Sequence, residues 1–405
     1  MNHGTTTSPA ALKQAACAAV DAIAADLLAV SHGIHAEPEL CFEEVRAARR
    51  LCAAAEARGV VVARPAYGLE TAFEAEFGPA GAPRVALLAE YDALPEIGHA
   101  CGHNLIATAA LGATLALAAL GYRLPGRVRF LGTPAEEGGG GKELMARAGA
   151  FEGVDAALMI HPAGINLATT PTLAIGRVDA VYHGRTAHAS AQPWEGINAL
   201  DGVITAYNAI AALRQHIRPT ERIHGIITDG GVKPNIVPER AAAEFYVRAA
   251  DAGALAALKV RVEGCLRAGA EATGARLDLQ WVGVDYLDLH TSWPLAEAFQ
   301  RNAESLGRTF TPLEDLPPGW AGSTDMGNVS HRVPSIHPLL AAAPPDVVIH
   351  NPAFAHWAGS AMGDACALDG AKALAMTALD FMTDAALRAR TAEVFAGTRS
   401  AAAAS

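Results

Sequence analysis

Several features are scarce in this 405-residue chain, and each scarcity removes a class of protein. Cysteine is sparse: Cys17, Cys41, Cys52, Cys101, Cys265 and Cys366 have no framework spacing, which excludes a disulfide scaffold and fits reduced thiols in a cytoplasm. Positive charge is short, with 31 Lys and Arg against 42 Asp and Glu and a net charge of -11. That balance argues against nucleic acid as a partner, and the one local cluster, Arg46, Arg49 and Arg50, reads as a solvated helix face. No apolar run reaches the about 20 residues of a membrane span; the longest, Leu105 to Leu120, is Ala-rich and reads as a buried helix. The opening MNHGTTTSPAALK has no basic region followed by an apolar core, so no signal peptide is expected. Neither a repeat period nor a long linker is visible. What remains, 51% hydrophobic and 18% charged residues, describes a globular protein with room for two domains.

The densest chemistry lies in Leu87 to Leu111, LLAEYDALPEIGHACGHNLIATAAL, which gathers Glu90, Asp92, His99, Cys101 and His103 between an apolar run and a small-residue helix. Cys101 and His103 are two apart, a spacing that does not share a helix face, so the pair belongs on a turn relaxed by Gly98 and Gly102. Asn104 is expected to cap the following helix, whose positive end would favour a Cys101 thiolate. Taken alone, the motif more often marks a buried cysteine beside two surface histidines.

Helical spacing is expected over residues 10–30 and 43–59, with Gly59 as a stop and the polar loop His32 to Glu39 between them. Arg84 to Ala89, Arg127 to Gly132 and Ala156 to Ile160 read as buried strands separated by helices, which implies an α/β domain with a mostly parallel central sheet. Ligands bind such sheets at the carboxyl ends of the strands. The first strand runs into Glu90 and Asp92, the second into Glu136 and Glu137, the third into His161. Three strand ends thus offer Cys, His and Glu groups to one edge, a set suited to zinc or a neighbouring divalent transition metal.

The style changes after Pro171. Strand Leu173 to Tyr182, helix Gly196 to Ile217, strands Arg222 to Thr228 and Ala241 to Ala249, helix Gly253 to Ala270 and strand Arg276 to Val282 follow the order of a split ferredoxin-like α+β unit. An insert of this kind suggests a lid or dimerisation module. The expected division is 1–172 and 288–405 for the two parts of a catalytic domain and 173–287 for the insert. In the second part we expect helix Pro294 to Leu306, strand Val333 to His337, helix Ala361 to Met382, and a frayed tail from Ser400 to Ser405.

Taken together, seven segments resemble the M20 metallopeptidase and amidohydrolase family, in particular its branch of aminoacylases, aminobenzoyl-glutamate hydrolases and M20 domain-containing dipeptidases. In order they are HAEPELCFEE from His35, Asp92 to Pro95, GHACGHN from Gly98, PAEEGG from Pro134, GRTAHAS from Gly184, PNIVPE from Pro234 and STDM from Ser323. The resemblance implies a zinc-exopeptidase-like catalytic domain. It implies Cys101, His103, Glu137, His161 and His350 as ligands for two divalent ions per subunit, Zn, Mn or Co. His350 matches a C-terminal histidine followed shortly by Phe, which His356 does not. Asp92 would orient a ligand histidine. Glu136 would be the general base acting on a metal-bound water that attacks an amide carbonyl, as in an N-acyl amino acid, aminoacyl conjugate or dipeptide. His188 would stabilise the tetrahedral oxyanion, often across a homodimer formed by the lid, and Asn235 and Arg248 would hold the substrate carboxylate. Glu90-Tyr91-Asp92 departs from the family's usual Asp-Met-Asp, and Asn104 replaces a common Asp. Two readings from other classes stay open: an amidase with a Cys101 nucleophile, and a non-catalytic two-domain protein closing on a small carboxylate.

Overall fold

The computed structural model describes residues 8–317 and 321–404, with side chains through residue 398. Two compact units emerge: Thr172–Asp288 with Ala321–Thr324 forms one, and the rest of the described chain forms the other.

The larger unit is built on a five-stranded sheet in the order Phe73–Phe77, Arg127–Gly132, Arg84–Ala89, Ala156–Leu158, Ser335–Ile336. Four of these strands are parallel neighbours; Phe73–Phe77, which has no counterpart among the expected strands, pairs antiparallel along the edge. Arg84–Ala89 is buried at five of six positions, as a parallel strand covered on both faces must be. Helix His103–Ala118 is buried from His103 to Leu117 and packs against Pro9–Ala22, Ala24–Ala36 and Ala361–Thr383. Its small residues permit that crowding: a β-carbon on Gly112 would lie 2.8 Å from that of Ala371.

The two strands at the far side break and pair again. Beyond Ala156–Leu158 and Ser335–Ile336 the chain steps away and resumes as His161–Ala163 alongside Leu339–Ala341, also parallel. His161 N donates to Pro338 O at 2.9 Å across this break.

Local expectations are corrected in several places. Residues 10–30 are not one helix but two, Pro9–Ala22 and Ala24–Ala36, meeting at 59° about Ile23, and the first is capped by Ser8, whose Oγ accepts from Ala11 N. The expected loop at His32 to Glu39 is helical as far as Ala36, because Ser31 and Ile34 are buried and hold the last turn to the core. The tail from Ser400 extends helix Ala385–Ala404; Ser405 and the opening residues 1–7 lie outside the described residues.

The smaller unit runs strand Ala174–His183, helix Ala199–Leu213, strands Arg222–Asp229 and Arg240–Ala249, helix Ala252–Thr273 and strand Arg276–Tyr286. All sheet neighbours are antiparallel, with Arg222–Asp229 at one edge and Arg276–Tyr286 at the other. This is the ferredoxin-like order. Ala174–His183 alternates buried and half-buried along its length because one face carries the two helices over a core of Val178, Tyr182, Val203, Phe245 and Leu266.

Candidate metal centre

Four adjacent parallel strands deliver polar residues to one sheet edge. Arg84–Ala89 runs directly into Glu90 and Asp92, and Arg127–Gly132 leads to Glu136 and Glu137. The third, Ala156–Leu158, is followed by His161, and Ser335–Ile336 by His337.

The Cys101 loop reaches this edge through a backbone that only glycine adopts readily. Gly102 has φ +79°, and a β-carbon there would come within 2.6 Å of Pro162 Cγ and 3.1 Å of Phe354 Cε1. Gly102, in the left-handed conformation, is the residue that opens helix His103–Ala118. The cap expected at Asn104 is therefore absent: Asn104 lies inside the first turn, and its Nδ2 donates to Ser31 Oγ and Ala358 O, both at 3.0 Å. Phe354 is fully buried against the same loop, and His350 N donates to Ala100 O at 2.8 Å. His350, itself exposed, is thereby held beside the cysteine and Glu137, whereas His356 on helix Pro352–Ala358 is in no convergent ligand group among the described residues.

Donor atoms of Cys101, His103 and His161 all lie within 4.8 Å of one another, as do those of Cys101, Glu137 and His350, and those of His103, Glu136 and Glu137. The Cys101 sulfur is 3.3 Å from His161 Nε2, and His350 Nε2 is 3.5 Å from Glu137 Oε2. Asp92 organises the group. Its Oδ1 meets His103 Nδ1 at 2.9 Å, while its Oδ2 accepts from Glu137 N at 2.9 Å and from Cys41 Sγ at 3.3 Å. Burial works to raise the Asp92 carboxyl, but His103 outweighs it and brings the pKa down to about 2, so the carboxylate stays ionised.

These residues fit a divalent cation. His103 Nε2 and Glu137 Oε1 are buried without a hydrogen-bond partner among the described residues, although both belong to the convergent groups. Burial, followed by the Glu137 charge, pushes the Cys101 thiol well above its ordinary value. The helix terminus expected to favour a thiolate is therefore insufficient alone, and a cation among these ligands would supply the missing charge. Cys101 belongs to two of the ligand groups, as a residue placed between two ions would.

Glu136 is itself buried, and its carboxyl is pushed well above the ordinary range by burial and then by Glu90 and Glu137. Behind it lies a buried charge cluster whose pairing no sequence motif announces. Lys142 Nζ bonds Glu90 Oε1 and, at 2.6 Å, Asp325 Oδ1, while Lys142 N donates to Asp325 Oδ2 at 2.9 Å. Lys142, Glu90 and Asp325 are each fully buried. The glutamate that departs from the family pattern at position 90 is thus the partner of a buried lysine. Glu44 is a second residue that sequence reasoning misses. Its Oε1 accepts from Ala135 N at 2.9 Å and from Phe42 N at 2.8 Å, holding Ala135 at φ +60° where the loop presents Glu136. His99 is buried, with Nε2 bonded to Ile34 O at 3.1 Å, and burial holds its pKa down at about 3.

His188, Asn235 and Arg248 belong to the smaller unit, and it does not bring them together. Ala189 N donates to Asn235 O and His188 bridges Ile236, so these two exposed residues share one end of the sheet. Arg248 pairs with Ile175 at the other end of the strand whose Arg240 pairs with His183. Eight residues of strand separate them, roughly 26 Å. Arg248 Nη1 donates to Ser323 Oγ at 2.9 Å, and that hydroxyl donates to Leu173 O at 2.7 Å.

The Cys/His/Glu cluster gathered at the carboxyl edge of this mostly parallel α/β sheet is a donor set suited to divalent cations. Residues 86–380 match the model of peptidase family M20/M25/M40, and the chain belongs to that family. It is 44% identical over 391 residues to the Xaa-Arg dipeptidase of Mus musculus, covering 93% of this chain and 90% of that one. It is 40% identical over 253 residues to one of the chains of the p-aminobenzoyl-glutamate hydrolase of Escherichia coli strain K12, covering 56% of this chain and 52% of that one. Its fold is similar to that of a Bacillus subtilis dinuclear metal binding peptidase from the M20 family, with TM-score 0.67, 21% identity and 89% and 99% coverage.

Proposed function

We propose that this enzyme hydrolyses the amide bond of a dipeptide or N-acyl amino acid in a metal-dependent reaction and releases a free amino acid. The observation that carries this reading is the convergence of Cys101, His103, Glu137, His161 and His350 beside a buried Glu136. Similarity over nine-tenths of the length of an Xaa-Arg dipeptidase puts dipeptides with a C-terminal arginine first among the candidates.

The five ligands would hold two divalent ions, Zn, Mn or Co. When bound, such ions polarise the substrate carbonyl and make water more acidic. Glu136 takes the proton of the attacking water at its carboxylate and passes it to the departing nitrogen. Asp92 fixes the orientation of His103 through the Nδ1 contact and holds the Glu137 backbone in place, so neither ligand must be reorganised on binding. His188 donates to the developing oxyanion, and Asn235 and Arg248 hold the substrate carboxylate. The span between Arg248 and the His188 and Asn235 pair favours a homodimer in which the smaller unit of one subunit lends His188 and Asn235 to the other subunit's site.

A Cys101 nucleophile fits less well, because a nucleophilic thiol needs a lowered pKa and burial pushes this one up. Chelation separates the readings. Removing metal should abolish turnover of arginine-terminated dipeptides and N-acetyl amino acids, and zinc, manganese or cobalt should restore it. Full activity in the chelated protein would refute the metal mechanism.

A further inference from the structure

Three of the four parallel strand ends deliver a residue to the hydrolytic site, and the fourth delivers His337. This histidine sits in the break between Ser335–Ile336 and Leu339–Ala341, opposite the matching break before His161. The two rings are tilted at 51° with centroids 5.3 Å apart, and His337 is 4% exposed. Neither of its ring nitrogens has a hydrogen-bond partner among the described residues. A buried imidazole with both nitrogens unpaired is unfavourable unless something else pairs with it. His337 is not in any ligand group whose donor atoms converge within 4.8 Å among the described residues, so a metal ion is not the obvious partner.

We propose that His337 contacts the substrate, its imidazole hydrogen-bonding the atoms that flank the scissile amide. This rests on the hydrolytic reading of the site. A ring packed on His161 is within reach of whatever binds next to that ligand, and a neutral imidazole offers one donor and one acceptor. Such a ring suits a peptide bond neighbourhood, where a carbonyl oxygen and an amino or acylamino nitrogen lie side by side.

The test compares two variants of the metal-loaded enzyme. His337→Phe keeps a ring against His161 but removes both polar atoms, and His337→Gln keeps a donor and an acceptor. On an arginine-terminated dipeptide, kcat/KM of the Phe variant should fall about 10- to 100-fold, with the Gln variant recovering part of the loss, as expected for one lost hydrogen bond in a closed site. Zinc bound per chain, measured by elemental analysis, should match the wild type in both. Wild-type kcat/KM in the Phe variant would overturn the proposal, and so would loss of zinc in parallel with activity, which assigns His337 to the support of His161. A wild-type enzyme that turns over no amide substrate sinks the hydrolytic reading itself, a result distinguishable from failure of this residue alone.

Discussion

The carboxyl edge of the larger unit and the candidate residues of the smaller one are organised in opposite ways. At the first, Asp92, Cys101, His103 and Glu136 are buried, Asp92 ties His103 to the Glu137 backbone, and Lys142, Asp325 and Glu44 back the group. At the second, His188 and Asn235 are exposed, and the contacts that hold His188 are made by its own turn, Ser190 and Ala191 donating to its Nδ1. A buried group is preorganised because its desolvation is completed during folding. An exposed one acts only once something is brought against it.

The largest break in that contrast should come from Glu136→Gln, which leaves the buried cluster in place and removes the proton acceptor. Turnover should fall about 10²- to 10⁴-fold with zinc content and thermal midpoint unchanged. Retention of full kcat would remove Glu136 from the reaction.

His188→Ala should lower kcat by about 10²- to 10³-fold, the usual cost of an oxyanion donor, with no change in metal content. Co-expression with Glu136→Gln chains is the sharper measurement. If His188 serves the other subunit, mixed dimers contain one intact site, and a one-to-one mixture should regain about a quarter of wild-type activity. No recovery would place His188 in its own subunit's site.

The smallest effect concerns the buried edge alone and is read from stability. His99 has a folded pKa of about 3 against an ordinary 6.5, set by burial and then by its histidine neighbours. A histidine held neutral contributes stability that is complete above its unfolded pKa and lost as pH falls toward the folded one. Urea unfolding of metal-free protein should therefore show His99→Asn converging on the wild type between about pH 6.5 and 4, at up to about 1.4 kcal/mol per pH unit. A constant gap across that range would mean His99 is not held neutral.

Much of the sheet edge is legible because a local pattern encodes it. An apolar run buried on both faces marks a parallel strand, and the polar residue that ends it lands at the ligand edge, as Glu90, Asp92, Glu136, Glu137 and His161 do. The same rule applies to His337, which ends an expected strand but stands there without a second chemical group to mark it. Asn104 misleads for the opposite reason. Its local pattern is that of a cap, but its partners, Ser31 and Ala358, are 73 and 254 residues away. The Lys142 cluster is hidden in the same way, since Glu90 and Asp325 lie 52 and 183 residues from it.

The amino-acid sequence alone determined most of the central strands and long helices, the family resemblance, and the ligand types offered at each strand end, because these follow from periodicity and from motifs a few residues long; the edge strand Phe73–Phe77 and the helical His32–Ala36 it did not. Only the tertiary structure decided which atoms converge. It placed His350 beside Cys101 and Glu137, paired the unusual Glu90 with a buried lysine, and set Arg248 at the opposite end of the smaller unit's sheet from His188. Burial and long-range pairing govern those choices, and neither is a property of any short stretch of chain.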